Sequence, residues 1–406
     1  MSNIRCGMVV LIATGVVAGT VAPSRAQDDA DAARVRFGSV SLSPTISVTN
    51  IGWDSNVFNV SEDDNPQGDV TATASPAVQA WLRTPRVRVN GRGRLDMYYF
   101  NRVDDLRAVD NDHSGRVELF LNRVMPWVSG NFVRTRHRQN LEIDAIAERR
   151  IDAVQVGSLV RMTRKTSAGA YVERSHVHFY GESLFRGADL ARELNQAGWV
   201  EGGVIQYQAT PLTTVTLNVE HGRSRFAFSS DRDSDSVRIL PAVEFKPFAL
   251  ISGRAAIGFR ELHYRDSSQP DFRGMVAYVD LQYTFRGRTQ LAFAAQRELQ
   301  PSYIDTQLDY VLAEIGGTVR QRFGDGWDAL AGFRRYRIGY RRQDPQAPGD
   351  TAGFPDEIIL NPNLSVGYSI GRTRIGFDVD YRGREADALG HGFERFRIGS
   401  SVSHVF

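Results

Sequence analysis

The chain has 406 residues, with 49 lysines and arginines against 47 aspartates and glutamates. A formal charge of +2 gives no broad basic surface, so we predict no nucleic-acid partner. The single cysteine, Cys6, lies in the N-terminal leader, which excludes a disulfide framework, a thiol nucleophile and a cysteine-ligated metal from the mature chain.

Residues 1–26 have the parts of a cleavable secretory signal. Arg5 precedes an apolar run from Met8 to Ala22, and Ser24 and Ala26 form a small-x-small cleavage site. The alternative is a membrane anchor, but a run of roughly fifteen residues is short for a helical span of about twenty. No other long apolar run occurs, which excludes a helical membrane protein. Removing the signal leaves 47 basic and 47 acidic residues, because it takes away two arginines and no acid.

The rest of the chain repeats one pattern of paired runs. Each run has roughly ten to fourteen residues with alternating apolar and polar positions, and the runs are joined by a tight turn and then by a longer polar loop. In the run 275–285, Met275, Val279 and Phe285 alternate with polar residues such as Asp280. The last run, which ends at Phe406, alternates in the same way. A period of two predicts strands with one apolar and one polar face.

The connections between the runs alternate in length. Eight are short, such as Thr84-Pro85 and Gly324-Asp325-Gly326, and nine are long polar loops. Short turns at one rim and long loops at the other are typical of bacterial outer-membrane barrels, whereas a soluble sandwich has no reason to sort its loops. We therefore predict an all-β, transmembrane antiparallel β-barrel of about eighteen strands. It would span residues 42–406, after a short periplasmic segment at residues 27–41.

Charged residues on the polar faces are predicted to line the lumen. The candidates are Arg86, Arg88, Arg92, Arg94, Asp96, Asp280, Arg374, Asp378, Asp380, Arg382, Arg395 and Arg397. Pairing between bases and acids would stiffen the wall, whereas unpaired arginines would present a cationic track for anions. The balanced charge favours pairing. Only Lys165 and Lys246 are lysines, which suits an ion-paired lumen and fits a GC-rich genome equally well.

The sequence gives little support to catalysis or metal binding. His176 and His178 would share one strand face, but no third metal ligand has a suitable spacing. No G-x-S-x-G, H-E-x-x-H or glycine-rich phosphate loop occurs. We predict that the protein is not an enzyme and binds no metal or other cofactor. Leu190 and Leu194 make one loop segment compatible with a helix, which could fold into the lumen or stand over its mouth.

A short motif after the first predicted strand resembles a known family. The stretch Gly52–Phe58 contains Trp53, Asp54, Ser55, Asn56 and Phe58, and it is similar to the aromatic-Asp-Ser-Asn-apolar stretch of the putative β-barrel porin 2 family. Proline-led strands and the terminal phenylalanine also look like that family. The resemblance implies an outer-membrane barrel associated with exopolysaccharide synthesis and secretion systems. The pattern of Ile398, Val402 and Phe406 also looks like the signal read by the barrel-assembly machinery.

Three hypotheses follow for the function, all in the bacterial outer membrane. The first is the exit for exopolysaccharide export, the second a passive diffusion porin for small solutes, and the third an outer-membrane hydrolase. The predicted partners are outer-membrane lipid and lipopolysaccharide, the barrel-assembly machinery, periplasmic polysaccharide-export proteins and a polysaccharide cargo. In the first two hypotheses the lumen shape, arginines, aromatic side chains and loops do the work without a covalent step.

Overall fold

Eighteen long strands form one closed antiparallel barrel. A computed structural model describes residues 35–136, 141–144, 146–181, 183–246, 250–304, 307–341, 356–385 and 392–406. The barrel strands are β1 (Val40–Asp54), β2 (Asp69–Arg83), β3 (Val87–Phe100), β4 (Ala108–Leu119), β5 (Val124–Thr135), β6 (Arg149–Arg161), β7 (Thr166–Phe179), β8 (Gln196–Thr210), β9 (Thr213–Phe226), β10 (Ser234–Phe245), β11 (Ile251–Tyr264), β12 (Phe272–Phe285), β13 (Thr289–Pro301), β14 (Asp309–Phe323), β15 (Trp327–Tyr340), β16 (Glu357–Ile370), β17 (Thr373–Glu385) and β18 (Phe393–Val405).

Each strand pairs with the next in sequence, and β18 pairs with β1 to close the ring. The predicted fold class and strand number are thus confirmed. A short strand, Val35–Phe37, pairs with the start of β1 beyond the end of β18. The barrel therefore begins at Val40, two residues before the predicted boundary, and the predicted signal peptide lies outside the described residues.

The connections are sorted by length between the two rims. Those at the rim that holds both ends of the barrel have two to five residues, and those at the opposite rim have seven to sixteen. Small elements occur in the long loops: a hairpin of Leu184–Phe185 with Ala188–Asp189, an α-helix α1 (Leu190–Leu194), and 3₁₀ turns at Glu62–Asp64, Asp104–Leu106 and Ser230–Arg232. None of the described helices is long and apolar enough to span a membrane.

The two faces of the wall differ as the alternating pattern predicts. On β17, Ile375 and Phe377 are exposed on the outer face, whereas Arg374 lies inward against Asp328 of β15. Large apolar side chains are exposed on every one of the eighteen barrel strands. An outward apolar face next to inward charges is the arrangement of a barrel in lipid.

Aromatic residues mark both ends of the outer face, but not all aromatics belong there. Trp53 and Trp199 are exposed near the long-loop rim, and Trp327 is exposed near the short-turn rim. Such rings are typical of the two membrane interfaces. Trp81 and Trp127 also lie near strand ends in the sequence, yet both are buried on the inner face. They are part of the lumen wall.

The motif after β1 closes the barrel at the long-loop rim. Asp54 is fully buried and accepts two hydrogen bonds from the guanidinium of Arg395 on β18, one of them at 2.9 Å. The backbone N–H of Ser55 donates to the Phe396 carbonyl at 3.0 Å, and the Phe396 N–H donates back to Ser55 Oγ at 2.9 Å. Residues more than three hundred positions apart are thereby joined where β18 meets β1.

Asn56 completes this joint with its side-chain amide. Its Nδ2 donates to the Glu394 carbonyl at 3.0 Å and to the Val60 carbonyl at 2.7 Å. Trp53 points outward at the rim, and Phe58 is exposed in the loop. A barrel in lipid must satisfy its backbone groups internally. The polar residues of the motif help to meet this requirement by joining the first strand to the last.

Replacing Asp54 should destabilise the closed barrel. Asp54→Asn leaves the buried Arg395 guanidinium without its counter-charge, and breaking such a pair costs about 3–5 kcal/mol. We expect the free energy of unfolding in urea, measured by tryptophan fluorescence in detergent micelles, to fall by that amount. The matched control is Asp112→Asn, whose partner Arg92 is half exposed, and there the loss should stay below about 1 kcal/mol. Equal stability losses in the two variants would contradict the role of the Asp54 pair.

Candidate functional site: the lumen and its mouth

The candidate charged residues lie at the lumen, with one exception. Arg88, Arg92, Arg94 and Asp96 are on the inner face of β3, Asp280 is on β12, Arg374, Asp378, Asp380 and Arg382 are on β17, and Arg395 and Arg397 are on β18. Arg86 is exposed in the turn between β2 and β3, outside the barrel strands. It therefore belongs to the short-turn rim, because it is the last residue of the turn and β3 begins at Val87.

Most of these arginines are paired. Arg374 donates two hydrogen bonds of 2.8 Å to Asp328, and Arg397 donates to Asp380 at 2.8 Å. Arg94 and Asp96 pair at 2.7 Å on one strand. Among the described residues, Asp280 and Asp378 form no ion pair. Pairing of this kind stiffens the wall, as the balanced composition suggests.

Two further arginines lie over aromatic rings. The Arg88 guanidinium is 4.4 Å from the centre of the Phe120 ring, and that of Arg382 is 5.9 Å from the centre of the Phe393 ring. These are distances at which a cation is attracted by the face of a ring. The arginine side chains of the lumen are thus held by rings as well as by carboxylates.

The wall of β2 to β4 is the more open part of the lumen. The side chain of Arg92 is 49% exposed and that of its partner Asp112 38% exposed, although both face inward. Gln79 and Ser114 on the same wall are also exposed. By contrast, the Arg374 side chain on β17 is only 13% exposed. Solvent and solutes can therefore reach the inner face at mid-height of β2 to β4.

The loop between β5 and β6 crosses the mouth of the barrel. Leu141 packs against an apolar cluster on the inner faces of β14, β15 and β16, whose members are Tyr310, Leu312, Ile338, Tyr340 and Ile359. β6 and β15 are nine strands apart in a ring of eighteen, so they stand on opposite walls. The segment 141–144 therefore reaches the wall opposite β6 at the long-loop end of the lumen.

Three loops meet in a second apolar cluster beside this segment. Ile143 packs with Leu190 and Leu194 of α1 and with Tyr303 from the loop between β13 and β14. Asp189 caps α1 by accepting a hydrogen bond of 3.0 Å from the Ala191 N–H. The sequence left open whether the helical segment enters the lumen or stands over it. In the structure α1 belongs to the group of contacting loops at the mouth, which we call the covering.

Buried polar contacts fix the same loops. Arg232, almost fully buried, donates to the Ser302 carbonyl at 2.6 Å and to the Ile304 carbonyl at 3.1 Å, and it pairs with Glu193 of α1 at 3.0 Å. Asn59 donates to Asp144, which connects the loop after β1 to the crossing segment. The mouth is thus covered by loops that hold one another by both apolar and polar contacts.

The wall is incomplete at one seam near this covering. β12 and β13 pair only over the stretch between Ala277–Arg297 and the short turn that joins them. β12 nevertheless begins at Phe272 and β13 continues to Pro301, so the ends near the long loops are unpaired with each other. Side chains replace the missing hydrogen bonds between the strands. Leu262, Phe272 and Leu299 form a buried cluster. Arg341 donates at 2.8 Å to both the Pro270 and the Asp271 carbonyls. Among the described residues, side-chain contacts thus hold the unpaired end of β13 against β11 and β12, and Arg341 fixes the loop between those two strands.

Other candidate residues lie outside the lumen. His176 and His178 point outward from β7, and the described residues contain no group of three or more ligands suited to a metal ion. Ile398, Val402 and Phe406 are exposed along the outer face of β18. Their reading as an assembly signal stays a prediction.

A family model described as putative beta-barrel porin 2 matches residues 29–344. No curated protein matches the sequence.

Solved outer-membrane structures resemble the fold at low identity. OccAB3 of Acinetobacter baumannii has 10% identity and a TM-score of 0.47, with 90% of this chain and 99% of that chain covered. The outer membrane protein opdK of Pseudomonas aeruginosa has 9% identity and a TM-score of 0.45, with 91% and 100% covered. The siderophore receptor PirA of Acinetobacter baumannii has 8% identity and a TM-score of 0.45, with 87% and 64% covered, so this chain spans under two thirds of that receptor.

The covering at the mouth contains a buried acid that should make it sensitive to pH. Glu142, on the crossing segment, accepts hydrogen bonds from Ser302 Oγ and from the Tyr303 N–H, the latter at 3.4 Å. Burial raises the pKa of Glu142 to about 8, and the carboxylate of Glu357 raises it too, whereas the hydrogen bonds and the Arg384 guanidinium act in the opposite direction. Glu142 is therefore protonated in the covered mouth at neutral pH.

We expect the mouth to open as the pH rises. An exposed glutamate ionises near pH 4.5. The state in which the loops cover the mouth is therefore most stable below that pH, and it loses stability as the pH rises from 4.5 to about 8. Ionic current across a planar bilayer should increase between pH 5 and pH 8.5, and Glu142→Gln should remove this dependence. Glu148→Gln, in the same loop but exposed and paired with Arg134, is the control and should keep it. A pH response that survives Glu142→Gln would refute this assignment.

Proposed function

Because this chain belongs to the putative beta-barrel porin 2 family and is a porin-like barrel of the bacterial outer membrane, we propose that it is a gated diffusion channel for small polar solutes. The extracellular loops are the gate, and the charged inner face is the path. No covalent step is required of any residue, which agrees with the absence of catalytic motifs in the sequence.

One observation carries the proposal: the segment 141–144 reaches from the β5–β6 side of the mouth to the inner face of β14 to β16. A permanently open porin would not need an apolar side chain such as Leu141 to be buried against the far wall. Below this segment, Arg92 and Gln79 are exposed to the lumen. Moving one loop segment would therefore connect a polar interior to the outside.

The ion pairs of the wall support passage of polar solutes. Arg374 with Asp328 and Arg397 with Asp380 keep the inner face polar and nearly neutral, so the wall offers hydrogen-bonding groups without a large single-sign field. The exposed pair of Arg92 and Asp112 offers both a donor and an acceptor at mid-height. Such a lining suits neutral or weakly charged hydrophilic solutes.

Exopolysaccharide export is the second candidate. The family resemblance suggests it, and the position of the covering favours it, because a gate at the long-loop rim would keep the lumen closed from outside until a cargo arrives from the periplasm. In that case the partners would be periplasmic polysaccharide-export proteins and the polysaccharide itself. The two candidates differ in what opens the gate and in how wide it must open.

Substituting Leu141 should open the gate. Leu141→Asp would place a carboxylate among Tyr310, Leu312 and Ile338, and burying an unpaired charge costs several kcal/mol, so the closed state should lose about two orders of magnitude in population. Swelling of proteoliposomes in a small sugar should be slow for the wild type and fast for this variant. Ile146→Asp changes an exposed residue of the same loop and should leave the swelling slow.

The outcome also separates the candidates. If wild-type liposomes swell as fast as those with Leu141→Asp, the gate proposal fails and an open porin remains. If neither the wild-type nor the Leu141→Asp liposomes swell, the lumen is blocked below the mouth and the proposal of a diffusion channel fails. Surface polysaccharide in a deletion strain tests the second candidate directly, since loss that is restored by the wild-type chain supports export and unchanged polysaccharide excludes it.

A further inference from the structure

The outward face of four neighbouring strands, β6 to β9, changes from apolar to charged along its length. Toward the short turns this face is apolar and exposed, as at Val156, Val172, Ile205 and Val219. Toward the long loops it carries a group of charged and aromatic side chains that we call the rim patch: Arg150, Asp152, Arg174, Trp199, Glu201 and Arg223. The apolar part and the rim patch adjoin directly, because Arg174 lies two positions beyond Val172 on β7.

Charge at this level is not a general feature of the rim. On β2, β3 and β4 the outward side chains nearest the long loops are Val70, Tyr99 and Val109, all of them exposed. The barrel therefore does not need arginines at this position in order to sit in lipid. The rim patch belongs to part of the rim only, and its charges need a local explanation.

Two arginines of the rim patch flank one tryptophan. The strand register places Trp199 of β8 directly opposite Arg174 of β7 on one side and Arg223 of β9 on the other. Side chains opposed in this way have Cβ atoms about 5 Å apart, so the two arginine Cβ atoms are separated by about 10 Å. All three side chains are exposed, Trp199 to 37% and the Arg223 side chain to 45%. Both guanidinium groups can therefore reach the same ligand over the indole ring.

The charge of Arg174 has no partner on this surface. Arg223 pairs with Glu201 at 3.1 Å, and Glu201 also accepts a hydrogen bond of 2.9 Å from Trp199 Nε1. Arg150 and Asp152 pair at 2.8 Å. Within the part of the chain that the structure describes, the Arg174 side chain forms neither an ion pair nor a hydrogen bond. Exposed ion pairs contribute little, so Arg223 can exchange Glu201 for a stronger anion while Arg174 is available outright.

The position of the rim patch along the strands matches the head groups of the outer leaflet. Two residues of a strand rise by about 7 Å, so Arg174 lies just beyond the lipid-facing Val172. An outward arginine is costly in the middle of the hydrocarbon and nearly free of cost at its edge. Tryptophan also favours that edge. Long loops are extracellular in bacterial outer-membrane barrels, so the lipids at this edge are those of the outer leaflet.

We propose that Arg174 and Arg223, with Trp199 between them, bind the phosphate groups of lipopolysaccharide on the outside of the barrel. The lipid part of this molecule carries phosphates on a sugar backbone above its acyl chains. A guanidinium donates two parallel hydrogen bonds to a phosphate, which makes arginine the preferred residue for this group. The acyl chains lie along the apolar face at Val156 and Val172. The inference concerns the outer face and does not depend on what passes through the lumen.

Binding is measured by native mass spectrometry of the purified full-length protein in detergent, titrated with diphosphorylated lipid A. An arginine at an anionic membrane surface strengthens binding about fivefold, so Arg174→Gln should raise the dissociation constant about fivefold and Arg174→Gln/Arg223→Gln about thirtyfold. Arg174→Lys keeps the charge and should lose less affinity than Arg174→Gln. The matched control is Arg92→Gln, which removes an exposed arginine from the lumen side and should leave the affinity unchanged.

Other lipids separate the phosphate contact from simpler explanations. Lipid A without phosphates should bind weakly, and equally tight binding would reduce the rim patch to an apolar contact and overturn the proposal. Phosphatidylglycerol that binds as tightly as lipid A, or inorganic phosphate that displaces lipid A, would also overturn it, because the site would then recognise any phosphate. So would an equal loss of affinity in Arg92→Gln. Urea unfolding that matches the wild type confirms that the variants keep an intact barrel.

Discussion

The constraint on which this structure depends is that a wall in lipid must pair its own backbone groups, because hydrocarbon offers no hydrogen bonds. A ring of strands meets it only when the last strand finds the first. Here Asp54, Ser55 and Asn56 form that joint with Arg395, Phe396 and Glu394, in addition to the ladder between β1 and β18. The short motif that resembles the family is thus explained by a physical task, the closing of the ring.

The same constraint divides the work of the molecule between its wall and its loops. A closed ladder of hydrogen bonds is stiff, and the ion pairs of the wall add to that stiffness. The described wall therefore changes little in which solutes it can admit. The covering at the mouth is built differently, from side-chain contacts between loops around Leu141, Ile143 and Arg232. Contacts of that kind can be exchanged for water without breaking the ring. A gate made of loops on a rigid barrel is therefore the arrangement that costs least to operate.

Much of the fold can be predicted from the sequence, because a period of two decides which way each side chain points. It assigns Phe377 outward and Arg374 inward, and the loop lengths decide the strand number. It does not give the register between strands, so Asp112 and Asp328 are not recognised as the partners of Arg92 and Arg374. Nor does it place Trp127, whose position near a strand end is typical of an interface although its ring faces the lumen.

The covering at the mouth shows why the remainder is harder to predict. Leu141 contacts residues more than 160 positions away, and no local pattern carries that information. Arg116 and Glu118 do alternate on one polar face, which is a signal for an inward ion pair. The contact of Arg116 with Trp127, however, does not follow from this pattern, because the ring lies on the neighbouring strand. Contacts of this kind arise from packing between strands.

The short ladder between β12 and β13 has a consequence for how the ring comes apart. A closed sheet parts more easily where its ladder is short, and here several residue pairs are missing between Phe272 and Pro301. The native chain keeps its two ends elsewhere, at the joint that holds the buried Asp54 and Arg395 pair. A circularly permuted chain cut in the turn 286–288 would reverse this arrangement. Its two ends would meet at a joint with a shortened ladder and without the Asp54 and Arg395 pair, so the ring would have to close without that buried contact.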